Sequence, residues 1–148
     1  MTKKLYSTFA MLSLLFMLAV TSVQAQSGDS LQANIRFDFK VGDKVLPAGE
    51  YTVRRMSANT LLIQSADGRE RLVAQTWNKI EGSGKATRVK LVFHQYGDQL
   101  FLSQVWMNRG GDGRELAPSA TEREAARALT LASGDKKPRT IEVVAGGR

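Results

Sequence analysis

His94 is the only histidine of the 148-residue chain, and no cysteine is present. Imidazole titrates near neutral pH, so His94 is the side chain best suited to serve as a general base or a metal ligand. A catalytic triad would also need a nucleophile and an orienting acid. Ser103 is the hydroxyl nearest in pattern, on the same expected strand face. Both residues fall in mid-strand, and no nucleophile-elbow motif surrounds Ser103. The plainer reading packs His94 beside Tyr96 and Phe101. The absence of cysteine excludes thiolate nucleophiles and thiolate zinc sites, and one histidine without a carboxylate cluster falls short of a zinc site. The expectation is therefore no catalytic residue, no metal, no cofactor and no enzymatic activity. A hydrolase using His94 with nearby carboxylates is the alternative.

Other chemistry-bearing stretches are weaker. Glu81-Gly82-Ser83-Gly84-Lys85-Ala86 has the glycines and lysine of a phosphate-binding loop. It lacks the first glycine at the required spacing and a hydroxyl residue after the lysine, and no helix follows it. Asp-Gly-Arg-Glu occurs twice, at 67–70 and 112–115. Neither copy has calcium-loop spacing, and the repeat is read as one turn chemistry used twice. The aromatics Trp77, Tyr96, Phe101 and Trp106 could line a sugar or lipid site. Trp106 is assigned to the core. Trp77 stands at a strand end beside a glycine-rich loop, which leaves it, with His94, Tyr96 and Phe101, as a candidate ligand contact.

These residues are positioned by the stretch Val89–Met107, VKLVFHQYGDQLFLSQVWM. Gly97-Asp98 between two apolar runs predicts a hairpin with a two-residue loop. That register pairs Tyr96 with Gln99, His94 with Phe101, Phe93 with Leu102, Leu91 with Gln104 and Val89 with Trp106. Strand side chains alternate between faces. Val89, Leu91, Phe93, Leu100, Leu102 and Trp106 then form a core face. Lys90, Val92, His94, Tyr96, Phe101, Ser103 and Val105 form a second face, too apolar to be simply wet.

The rest of the chain supplies more short strands. Leu31 to Val41 alternates cleanly and predicts one continuous strand with a single buried face. Val45-Leu46-Pro47-Ala48-Gly49 makes a corner. Glu50–Met56 and Thr60–Ser65 follow as strands, and Asp67-Gly68 turns the chain so that Ile63 meets Leu72 and Leu61 meets Ala74. The loop 78–86 is polar, the segment 108–113 is glycine-rich, and Arg114–Leu116 adds a short strand. Ser119 and Glu122 fit a capping box at the start of a helix that runs to about Ala132 and stops at Ser133-Gly134. Its small stripe of Ala125, Ala126, Leu129 and Ala132 suits close packing on the second face of the hairpin. Thr140–Ala145 reads as a final strand.

Residues 1–25 read as a secretory signal peptide. Lys3 and Lys4 precede an apolar run, and Val23-Gln24-Ala25 suits cleavage before Gln26. The remaining 123 of the 148 residues suit one domain, 26–148, with no transmembrane segment after cleavage. Lys3 and Lys4 account for two of the +7 net charge, leaving +5. The basic residues are scattered, which argues against nucleic-acid binding. An unknown protein, an envelope polymer or a small apolar ligand is the expected partner, in a periplasmic or extracellular setting.

Two segments carry a resemblance. Phe39–Tyr51 reads F-x-V-G-x-x-x-L-P-A-G-x-Y, and His94–Trp106 reads H-x-Y-G-x-x-x-F-L-x-x-V-W. With Gly113–Leu116 and Glu122-Arg123-Glu124 they resemble an uncharacterised family of small exported bacterial β-rich proteins. The resemblance implies export and a β-rich domain, and carries no activity or catalytic residue. The fold expected is mostly β: an antiparallel β-sandwich or partly open barrel of about seven to eight strands, with one helix in the C-terminal half. The function expected is a non-enzymatic binding or envelope-associated module, with a carrier of a small apolar ligand as a further alternative.

Overall fold

The computed structural model describes residues 30–82, 88–108, 111–134 and 137–147. The expected leader lies outside the described residues, as do residues 83–87 of the polar loop. The described chain is mostly β. Its strands are β1 (Ser30–Ile35), β2 (Phe39–Val41), β3 (Lys44–Leu46), β4 (Gly49–Ser57), β5 (Thr60–Ser65), β6 (Arg71–Ile80), β7 (Lys90–Tyr96), β8 (Gln99–Trp106), β9 (Gly113–Leu116), β10 (Arg139–Val144) and β11 (Gly146–Gly147). One helix, α1 (Ala120–Ser133), lies between β9 and β10.

The strands join in one sheet of order β10-β7-β8-β9-β6-β5-β4-β1-β11, with β2 attached to β8 and β3 to β2. All pairings are antiparallel except the bridge of β2 to β8 at Lys40 and Phe101, so the sheet is mixed. The two end strands are successive in the chain, with only Ala145 between them. The stretch 139–147 therefore pairs first with β7 and then with β1, while the Ala145 N–H donates to the Val89 carbonyl at 2.9 Å.

Alternation explains the buried face. Leu31, Val53, Ile63 and Leu72 are register partners across β1, β4, β5 and β6, and all belong to or pack against the core. The Asp67-Gly68 turn sets the expected pairs Ile63–Leu72 and Leu61–Ala74. In the core, Phe93 meets Phe37 and Phe39 edge-on at centroid distances of 5.2 and 5.4 Å, and Phe39 meets Tyr51 at 5.1 Å. Edge-to-face aromatics of this kind add stability beyond their buried area.

The stretch expected as one strand, Leu31 to Val41, is two. Its alternation persists, but the chain leaves β4 after Ile35 and joins β3 and β8 from Phe39. The Leu-Pro-Ala-Gly-x-Tyr corner locks this crossover. Asp38 Oδ1 accepts from the Ala48 N–H at 2.9 Å, the Tyr51 hydroxyl donates to the Pro47 carbonyl at 2.8 Å, and Leu46 is buried opposite Phe39.

The central hairpin keeps its expected register from Tyr96–Gln99 to Phe93–Leu102, and then shifts. Val92 pairs with Gln104, Leu91 with Val105 and Lys90 with Trp106. Ser103 is the extra residue of a β-bulge, and one extra residue exchanges the faces beyond it. Val105, expected on the second face, is therefore in the core. Trp106, expected in the core, is buried on the opposite face.

The repeated Asp-Gly-Arg-Glu is not one turn used twice. At 67–70 it is a turn, with Gly68 at φ +73° and Asp67 Oδ1 accepting from Ser65 Oγ at 2.5 Å. At 112–115 it enters β9, and Gly113 lies flat under the Trp106 indole.

Candidate functional site

His94 and Tyr96 alternate onto the same outward face of β7, and Phe101 sits beside them as the register partner of His94. Tyr96 stands edge-on to Phe101 at 5.9 Å and to His94 at 6.3 Å. Lys40 Nζ lies 5.3 Å from the Phe101 ring centroid and donates to Gln99 Oε1 at 2.7 Å.

The helix completes the cluster. Ser119 is its N-cap and accepts from the Glu122 N–H at 3.1 Å, while Gly134 closes it in the left-handed conformation. These are the expected start and stop. Asp43, on the β2–β3 turn, accepts from Thr121 Oγ1 at 2.7 Å and from the Thr121 N–H at 3.4 Å. The Thr121 hydroxyl first, then Ser119 and the Thr121 amide, hold the Asp43 carboxyl below its ordinary value.

With its entry fixed, α1 directs Glu122 onto the sheet. The Glu122 side chain is 8% exposed, and Oε1 lies 3.6 Å from His94 Nδ1. The same oxygen accepts from the Tyr96 hydroxyl at 3.4 Å. Burial first, then the Glu122 charge and the hydrogen bond to it, push the Tyr96 phenol up to about 12. A carboxylate beside an imidazole can orient the ring. His94 keeps 25% of its side chain exposed.

The structure thus brings three candidates, His94, Tyr96 and Phe101, together with Glu122. It leaves Trp77 elsewhere, on β6, with 68% of its surface exposed. Ser103 is buried in its bulge, and among the described residues no hydrogen bond joins it to His94. Among the described residues no group of three or more His, Asp or Glu side chains is placed to hold a metal. Glu122 was expected as a capping residue, not as a partner of His94. The signal was its spacing: Glu122, Ala125, Ala126 and Leu129 follow i, i+3, i+4, i+7, so Glu122 extends the stripe by one turn. Ala125, Ala126 and Leu129 are half-buried, whereas Ala132, also assigned to that stripe, is exposed.

A groove of about 450 Å³ opens beside the helix entry, between the β2–β3 turn, residues 72–75 of β6 and residues 116–119. It opens at the surface over Val41, Leu72, Ala74 and Leu116, at the margin of the core. Among the described residues no helix is long and apolar enough to cross a membrane. No family model, curated protein or solved structure matches the chain.

Proposed function

We propose that this chain is an exported, non-enzymatic binding module, built as a partly open β-barrel with one helix clamped to its outer side. The barrel reading is supported by the return of the last stretch of chain, which pairs with both β7 and β1. The observation that carries the functional reading is the buried Glu122 carboxylate. Its contacts with His94 and Tyr96 bind helix to sheet, so the groups most capable of acid–base chemistry have a structural use. The core is filled by close-packed aromatic and aliphatic side chains, which supports surface recognition over carriage of an apolar ligand.

Native mass spectrometry of the exported protein, alongside an ester and glycoside hydrolysis screen, tests this. A binding module shows no turnover, and its His94→Ala variant stays folded but loses about 1–3 kcal/mol, because the buried Glu122 is left with one partner fewer. Turnover that disappears in His94→Ala would establish the hydrolase reading. A small apolar molecule retained in stoichiometric amount would establish the carrier reading.

A further inference from the structure

The face of β1, β4, β5 and β6 turned away from the core carries an ordered row of polar side chains. Core partners Leu31, Val53, Ile63 and Leu72 fix the parity. One residue along, Gln32, Thr52, Gln64 and Arg71 are successive register partners across the four strands. Strands lie about 4.8 Å apart, so this row spans roughly 14 Å. The next row holds Arg54, Leu62 and Val73 as partners. The surface is concave here. A groove of about 310 Å³ runs past Gln32, Thr52, Arg54 and Gln64. It adjoins a hollow of about 120 Å³ that shares Gln32 and Thr52 and adds Asn34 and Glu50. Along β6, Arg71, Val73, Gln75 and Trp77 are exposed in alternation, and Asn78 and Lys79 are exposed beyond them.

From this arrangement we propose that the outer face of β1-β4-β5-β6 binds an extended acidic polysaccharide, with the row Gln32–Thr52–Gln64–Arg71 across its path and Trp77 as a stacking platform. The proposal rests on the binding-module reading and names its partner. Amide and hydroxyl side chains donate and accept at once, as vicinal sugar hydroxyls require. Among the described residues neither Arg54 nor Arg71 is held in an ion pair, so both guanidiniums are available to carboxylates, which they pair in bidentate fashion. An exposed indole offers an apolar face to the C–H face of a sugar ring. A lipid surface fits less well: the row is polar, and Gln32, Thr52 and Gln64 line a groove, whereas interfacial docking needs a protruding apolar face.

The test is calorimetric titration of the protein, expressed from the full sequence, with a hexamer of 1,4-linked uronic acid, and with a neutral glucose hexamer as control. Arg71→Gln and Trp77→Ala each remove a contact on the wet face, and Arg127→Gln removes a cation from the exposed side of α1. The expected result is binding of the uronate, weakened about tenfold by Arg71→Gln and by Trp77→Ala and unchanged by Arg127→Gln, a tenfold loss being about 1.4 kcal/mol. Absence of binding overturns the proposal. So does equal weakening by Arg127→Gln, which would mean attraction to net charge alone, and so does adsorption to phosphatidylglycerol vesicles without uronate binding. Chromatography of the hexamer after incubation separates the two readings: shortened products would refute the non-enzymatic assignment, while intact but unbound hexamer would refute only this site.

Discussion

Replacing Gly113 with alanine tests how Trp106 is seated. A Cβ at position 113 would fall 2.6 Å from Cε2 of the indole and 2.8 Å from Cδ2 and Cζ2. Ordinary carbon contacts begin near 3.5 Å, so the ring would have to move by nearly an ångström. It has little room to do so. The indole is buried, its N–H donates to Gln104 Oε1 at 3.1 Å, and Lys90 Nζ covers it at 5.8 Å. A rigid bicyclic ring cannot bend aside as a lysine can. Overpacking costs about 1–3 kcal/mol, and a displaced ring forfeits a cation–π contact of about 0.5–1 kcal/mol. Gly113→Ala should therefore destabilise the protein by about 2–4 kcal/mol, a large share of the total stability of a domain. Urea unfolding followed by Trp106 fluorescence in a Trp77→Phe background measures it. Combining Gly113→Ala with Trp106→Leu should recover at least ~1 kcal/mol as coupling. A Gly113→Ala variant within ~0.5 kcal/mol of the parent, or a double mutant with purely additive effects, would refute the reasoning.

The remaining expectations follow from the same contacts. Gly68→Ala meets no neighbouring atom within 4 Å but sits at φ +73°, so it should cost about 1 kcal/mol through the backbone alone, read from the urea midpoint. Phe93→Ala empties the centre of the aromatic cluster and should cost about 3–5 kcal/mol by the same assay. Tyr96 is raised from 10.0 to about 12, so the folded protein keeps a proton that the unfolded chain releases. Stability from this source is complete below pH 10 and is lost as pH rises through 12; Tyr96→Phe should remove that part of the alkaline slope, and Glu122→Gln should lower the phenol titration seen in the near ultraviolet. Asp43 is lowered by its Thr121 and Ser119 hydrogen bonds, so its contribution is present above its ordinary value of 3.8 and fades as pH falls below it. Asp43→Asn should flatten the acid limb of the urea midpoint against pH.

Much of this fold was legible because its signals are local. The turn glycines at 68 and 97, the Ser119 and Gly134 helix caps and the register of β5 on β6 each follow from neighbouring residues. Motif residues also find local work: Tyr51 closes the Pro47 corner, Gly97 turns the hairpin, and Phe101 lies under Tyr96. The partnership of Glu122 with His94 was less legible, since it joins residues far apart in sequence through the placement of a helix. The break at residues 36–38 was hidden for another reason. Alternation runs through it unchanged, and only the change of strand partner divides β1 from β2.

The errors of face assignment share one cause, and that cause also shapes the molecule. Among the described residues, three strands carry an extra residue: Met56 in β4, Trp77 in β6 and Ser103 in β8. A period-two reading passes through a bulge without noticing it, because the extra residue is defined by the partner strand and not by its own neighbours. A bulge also bends its strand and raises the local twist. In β6 the consequence is explicit. Up to Gln75 the strand pairs with β5, and from Thr76 onward, across the Trp77 bulge, it pairs with β9. One strand thereby serves two directions of the sheet. In β8 the Ser103 bulge brings Val105 into the core and turns Trp106 out onto Gly113. Of the bulge residues, Ser103 is buried, while Met56 and Trp77 leave large apolar side chains in solvent. Trp77 continues the outward alternation of Arg71, Val73 and Gln75, and its exposed indole stands at the bulge where β6 passes from β5 to β9 and the sheet bends.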